Sequence, residues 1–287
     1  MAGEIENTYR FIISCPDQVG IVAKVTQFVA DHGGWLTEAS YHSDPDSGWF
    51  FMRNVVRTDS LDLTIEEFRL RFDVLAQELN MNWYIHDAQQ KRRVALLVSH
   101  SSHCLADLLH RWYSGELQCD IPCVISNHDN LRSMVEWHGI PFHHVPINKD
   151  NKSAAFDEID NILTSYDTQT VVLARYMQII PPAMCEKYSG QMINIHHSFL
   201  PSFIGANPYQ KAYERGVKLI GATSHYVTHS LDEGPIIDQD VIRINHDHSQ
   251  DDMVRLGRDV EKTVLARALR FHIEDRVIIK DNKTIVF

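Results

Sequence analysis

An α/β chain in two units is what this sequence predicts, and three observations carry the prediction. Residues 8–87 alternate as strand, helix, strand, strand, helix, strand. From residue 93 onward, short apolar strands alternate with amphipathic helices. Near residue 194 a buried strand then ends on polar groups of catalytic type.

The first unit begins with the strand Tyr9–Cys15, which stops at Pro16-Asp17-Gln18-Val19-Gly20. Ile21, Val25, Phe28 and Val29 then recur at helical spacing, and Gly33-Gly34 ends the helix. Leu36–His42 and Trp49–Thr58 are β-branched and aromatic runs joined through Asp44-Pro45-Asp46-Ser47-Gly48, a hairpin loop. A helix over Thr64–Leu79 carries Phe68, Phe72, Leu75 and Leu79 on one stripe, and Trp83-Tyr84-Ile85 closes a βαββαβ, ferredoxin-like sheet. The polar stretch 88–92 reads as a linker between a first domain (1–87) and a second (93–287).

In the second unit the predicted strands are Val94–Ser99, Cys123–Ser126, Phe142–Val145 and Thr170–Leu173. Helices over Cys104–Tyr113, Asn130–His138 and Phe156–Tyr166 separate them, the pattern of a Rossmann-like parallel sheet. A strand over Ile236–Ile244, a helix over Met253–His272 and a hairpin around Asp281-Asn282-Lys283 complete it.

The chain has 287 residues, 44% hydrophobic and 23% charged, enough for two ordinary globular cores. A formal charge of −11 argues against a nucleic-acid partner, which needs a basic surface. No apolar run reaches the ~18 residues of a membrane helix, and the N-terminal residues lack a signal-peptide pattern. A cytoplasmic location is therefore expected. The five cysteines (Cys15, Cys104, Cys119, Cys123, Cys185) are scattered, as reduced thiols are. Seventeen histidines raise the question of a metal, but no His-Glu-x-x-His occurs and Cys119-x3-Cys123 has no second pair, so no metal is expected.

Asn194 and His196 share one face of a strand at its carboxyl end, where ligands of open α/β sheets bind. An amide beside an imidazole suits carbonyl polarisation, although satisfied core polar residues would give the same pattern. Asp232, on a loop after the strand that ends near His225, would add a base.

Asn194-Ile195-His196, Ser198, Leu200-Pro201, Phe203, Gly205, His225, Asp232 and Gly234 together resemble the folate-dependent formyltransferase family. His197 stands where the transferases usually have proline. With Ile204-Gly205-Ala206-Asn207-Pro208-Tyr209 and Ala212–Gly216, it is similar to the hydrolytic, deformylase branch. The resemblance covers residues 93–287. It implies a formyltransferase-fold domain in which Asn194, His196 and Asp232 act on 10-formyltetrahydrofolate, the substrate, with no cofactor. It also implies folate contacts from Arg175, Tyr176, Met177 and Ile179, with Ser198, His225, His229 and Gly234 shaping the pocket. Core packing is the alternative for Met177.

The first unit, with Asp17-x-x-Gly20-Ile21 ahead of its helix, resembles an ACT domain. That resemblance implies a homodimer or homotetramer. It also implies an amino-acid effector, such as glycine or methionine, near Asp17, Gly20, Ile21 and Gly34. A dimerisation module without a ligand is the alternative.

The loop Ser99-His100-Ser101-Ser102-His103-Cys104 contains no glycine and so offers no backbone phosphate cradle of the kind a nucleotide acceptor needs. Water is the acceptor this favours, giving formate and tetrahydrofolate, a reaction that would supply formate for purine synthesis. Transfer to another amine and a non-catalytic folate sensor are the rivals.

Overall fold

The computed structural model describes residues 7–201 and 208–287. Phe203 and the motif stretch 204–207 lie outside them. By contact the chain divides into two units, one of residues 7–91 with Glu274–Ile278 and Ile285–Phe287, the other of Arg92–Ile273 with Ile279–Thr284.

The first unit runs β1 (Thr8–Pro16), α1 (Ile21–Asp31), β2 (Leu36–Asp44), β3 (Trp49–Arg57), α2 (Ile65–Glu78) and β4 (Asn82–Asp87). Its antiparallel sheet has the order β2-β3-β1-β4. Gly20 turns the chain into α1 at φ 94°, a left-handed conformation that glycine adopts without steric cost. At the start of α2, the Thr64 hydroxyl accepts the Glu67 amide while the Glu67 carboxylate accepts the Thr64 amide, a reciprocal cap worth ~1 kcal/mol. Phe11 meets Phe68 and Phe72 edge to face between sheet and helices, with Ile21, Val25 and Val29 beside them.

The opposite face of this sheet shows Ile12 and Phe51, and the chain's last residues cover them: Ile278 packs there with Ile285 and Phe287. Asp275 anchors this return. Its buried carboxylate accepts from His86 Nδ1 (3.0 Å), Arg10 (3.4 Å) and Tyr84 (3.4 Å). A division that gives all of 93–287 to the second unit does not capture this C-terminal return. The apolar face of the first sheet is what requires it.

The second unit comprises β5 (Arg92–Val98), α3 (His103–Tyr113), β6 (Cys119–Asp120), β7 (Val124–Ser126), α4 (Arg132–Trp137), β8 (Phe142–His144), α5 (Lys152–Ser165) and β9 (Thr170–Leu173). It continues with α6 (Pro182–Lys187), β10 (Met192–His196), α7 (Pro208–Arg215), β11 (Leu219–Tyr226), β12 (Ile236–Arg243) and α8 (Gln250–Ile273). The hairpin β13 (Val277–Lys280) and β14 (Lys283–Val286) follows. The large sheet has the order β12-β11-β10-β9-β5-β7-β8, with β6 beside β5.

The expected parallel sheet proves to be mixed. Strands β10, β9, β5, β7 and β8 are parallel, as expected for helix-linked crossovers. However, β11 is antiparallel to both β10 and β12. Only residues 227–235 separate β11 from β12, and no helix lies between them. A link of that kind suits antiparallel neighbours, whereas parallel ones need a longer crossover. The sequence reading assigned neither α6 nor α7. All five cysteines are buried, and none forms a disulfide among the described residues. No helix among the described residues is long and apolar enough to cross a membrane.

Candidate active site

The antiparallel turn of β11 onto β10 creates the site. It sets Asn194 directly opposite His225 and His196 opposite Thr223, so Asn194, His196 and His225 gather at one edge. The Asn194 amide lies 3.3 Å from His225 Nε2. His225 Nδ1 lies 2.9 Å from the Tyr226 carbonyl, an acceptor only, so that nitrogen carries hydrogen. The ring's Nε2 faces the Asn194 amide.

The loop after β11 brings in Asp232, whose backbone is left-handed at φ 56°. Gly234 lies so close to the Tyr226 carbonyl that a Cβ there would collide with it, and this fixes the loop's path. Asp232 Oδ2 sits 3.3 Å from His196 Nδ1, and Oδ1 sits 3.7 Å from His225 Nε2. Burial alone would raise the Asp232 pKa. Hydrogen bonding to His196 and His225 overcomes it and holds the carboxyl well below the usual carboxylate range. Asp232 is therefore ionised at neutral pH. With its Nδ1 hydrogen directed at that carboxylate, His196 leaves Nε2 buried and without a partner among the described residues.

These groups form one wall of a cavity of about 470 Å³, within the range of small-molecule sites. Arg175, Tyr176, Met177, Ile179, His225 and His229 also line it. The Met177 amide donates to Ser99 Oγ at 3.0 Å, which fixes the segment after β9. The Met177 side chain is 59% exposed and so does not serve as core packing. The Tyr176 hydroxyl is buried with no partner among the described residues.

Two of the expected pocket residues do not line this cavity. Ser198 is buried, its carbonyl accepting the Thr223 hydroxyl at 2.9 Å, and Gly234 acts through the path of its loop. The candidate effector residues are also split. Asp17 and Gly20 are exposed at the turn, whereas Ile21 is buried in the core and Gly34 lies against Val29.

The sequence reading missed a second cluster beyond Arg175 and His197. Glu261 projects from the buried face of α8 and is 1% exposed. It accepts from the Tyr209 hydroxyl (2.6 Å) and lies 2.8 Å from His103 Nε2 and 3.4 Å from Arg175 Nε. Gly257 makes room for the Tyr209 ring, which a Cβ at that position would strike. The available signal was a carboxylate in the apolar stripe of Val260, Val264 and Leu265. His103, Cys104 and Glu261 also form a compact group of potential metal ligands. Glu261 is already taken up by three partners, and burial pushes the Cys104 thiol far above its usual pKa, so the group is poorly suited to a cation. Burial and neighbouring Arg175 push the His197 pKa down to about 4, so that ring is neutral at pH 7.

Known proteins share this arrangement's framework. A profile of the formyl transferase family matches residues 92–269. A formyltetrahydrofolate deformylase from Synechocystis sp. is 48% identical over 98% of both chains. One from Bacillus subtilis is 46% identical over 98% of this chain and 94% of its own. The crystal structure of a formyltetrahydrofolate deformylase from Pseudomonas syringae pv. tomato superposes with a TM-score of 0.96 at 61% identity, covering 98% of this chain and 94% of that one. Similarity of this extent, through both units and not the formyl transferase region alone, places the chain in the formyltetrahydrofolate deformylase family.

Proposed function

We propose that the chain hydrolyses 10-formyltetrahydrofolate to formate and tetrahydrofolate, with Asn194, His196 and Asp232 as its catalytic residues. The observation that carries this reading is the ionised Asp232 holding His196 by Nδ1, which leaves an unpartnered Nε2 on a residue that lines the 470 Å³ cavity.

The folate lies in that cavity with Met177 and Ile179 against its ring and its formyl group toward Asn194. Water adds to the formyl carbon, and its proton passes to the His196–Asp232 pair. Asp232 is held too far below the usual carboxylate range to be a strong base, so Nε2 of His196 is the better immediate acceptor. The Asn194 amide stabilises the oxyanion, a contribution of ~3 kcal/mol for a well-placed donor. Collapse re-forms the carbonyl and breaks the bond to the folate nitrogen. That nitrogen takes the proton and leaves. The balance is substrate plus water to tetrahydrofolate, formate and a proton, and no bound cofactor or metal enters it.

The first unit acts as an ACT-type regulatory module in a cytoplasmic homo-oligomer, its turn at Asp17–Ile21 receiving an amino acid such as glycine or methionine. Support for this is the βαββαβ order and the sheet order β2-β3-β1-β4.

Formate release from 10-formyltetrahydrofolate with no amine present tests the main reading. Equimolar formate and tetrahydrofolate are expected. Tetrahydrofolate released only when an amine acceptor is added would make the protein a transferase.

A further inference from the structure

The cavity on the far side of Arg175 and His197, about 220 Å³ in volume, shares those two residues with the folate-sized cavity. Three helices begin around it. His103 is the first residue of α3, Tyr209 and Gln210 lie in the first turn of α7, and Gln250 is the first residue of α8. Helix N-termini carry partial positive charge, and three converging on one cavity favour an anion.

The side chains point the same way. The one carboxylate there, Glu261, is surrounded by Tyr209, His103 and Arg175, which leaves no free carboxylate for an amine. Of the remaining groups, Arg175 and Arg258 are donors only, whereas Ser101, Gln210 and Gln250 can donate or accept. Arg258 stands at the rim without an ion-pair partner among the described residues, and the only ion-pair partner of Arg175 there is Glu261.

We infer that this second cavity is a small-carboxylate site that takes the product formate from the reaction centre, with Arg258 and Arg175 as its cationic groups. The inference rests on the hydrolytic reading above, because hydrolysis is what generates formate beside the shared wall. A passage past Arg175 and His197 would let formate leave while tetrahydrofolate still fills the first cavity.

Formate product inhibition, read together with line broadening of [13C]formate, tests the site. Wild-type protein is expected to broaden the formate signal and to show inhibition non-competitive with 10-formyltetrahydrofolate. Arg258→Gln should raise the formate Ki at least tenfold, more than any change it makes in KM, and Arg258→Lys should recover part of the loss. Arg255→Gln, one turn away and paired with Asp252 at 3.0 Å, is the control and should change neither. An unchanged Ki in Arg258→Gln, or formate competing with the folate, would overturn the site. Inorganic phosphate binding tenfold tighter than formate, and displacing it, would reassign the cavity to phosphate and overturn it as well. If the wild type releases formate but shows no broadening, the site fails alone. If it releases none, yet broadening is present and lost in Arg258→Gln, the hydrolytic reading fails and the carboxylate site stands.

Discussion

Asp232 and Glu261 lie on opposite sides of Arg175 and His197, and the fold treats these two buried carboxylates in opposite ways. Glu261 has a hydroxyl, an imidazole and a guanidinium around it, and its closest contacts are 2.6 and 2.8 Å. Among the described residues Asp232, 10% exposed, meets two imidazoles, at 3.3 and 3.7 Å, both beyond the 2.7–2.9 Å of a strong charge-assisted bond. Hydrogen bonding holds both below the usual carboxylate range despite burial. A carboxylate enclosed on every side stabilises the fold. One loosely held beside an unsatisfied imidazole keeps the capacity to move a proton.

The sharpest way to break this contrast is to neutralise Asp232. Asp232→Asn keeps the shape and removes the charge that orients His196, so turnover should fall by about 10³-fold. Folate affinity should stay within a few-fold, because the ring-contacting wall is untouched. Steady-state formate release and equilibrium folate binding check both halves. Near-normal turnover would remove Asp232 from the mechanism.

Glu261→Gln probes the other side. Losing that charge leaves the Arg175 guanidinium, 15% exposed, without its ion-pair partner, which should lower stability by ~3 kcal/mol. Thermal melting of the purified variant reads this directly. A variant that melts like the wild type would mean that Glu261 is not the structural carboxylate of the pair.

The two carboxylates were also unequally legible in the sequence. Asp232 belongs to a motif with Asn194 and His196, and strand periodicity alone placed the latter two on one face. Glu261 belongs to no motif, and its partners Tyr209, His103 and Arg175 come from three distant segments. Only the tertiary packing of α8 brings them together. The fold shows the same division. Helices and strands followed apolar periodicity closely, from Phe68 and Phe72 in α2 to Val171 and Val172 in β9. The antiparallel direction of β11 was not read, because its apolar run, Leu219–Tyr226, is the same whichever way its neighbours run. Nor was the return of Asp275 and Ile278 to the first sheet, which depends on two faces far apart in the chain meeting.

A third test concerns His197, which stands between the two cavities. Its folded pKa, about 4, lies below the ordinary histidine value of 6.5. Below pH 6.5 the unfolded chain takes up a proton that the folded chain refuses until about pH 4. The native state therefore loses stability as pH falls through that window. Near pH 4.5 the loss from this ring should be ~2 kcal/mol relative to pH 7. Asp232 has the same sign, but its loss begins only as pH drops through the unfolded carboxylate range, near 4. Burial also lowers the pKa of His128 and His143, so urea unfolding at pH 7 and pH 5 reads all three rings, and His197→Asn should shrink the difference by this ring's share. If the slope survives the substitution undiminished, the acid sensitivity belongs to other groups.

The smallest expected effect lies on the apolar wall. Met177 is the residue for which the sequence offered either folate contact or core packing, and its exposed side chain beside the cavity leaves little buried area to lose on truncation. Met177→Ala should therefore melt within about 0.5 kcal/mol of the wild type, as exposed substitutions do. Removing a flexible thioether from the folate's path should weaken binding by ~1 kcal/mol, five- to tenfold in affinity. Asn194→Ala should do the reverse, cutting turnover about 10²-fold while leaving affinity nearly intact, because its amide acts on charge that develops only in the transition state. If both variants lost affinity and turnover together, binding and chemistry would not be divided between the apolar and polar walls, and the cavity would have to be treated as one cooperative surface.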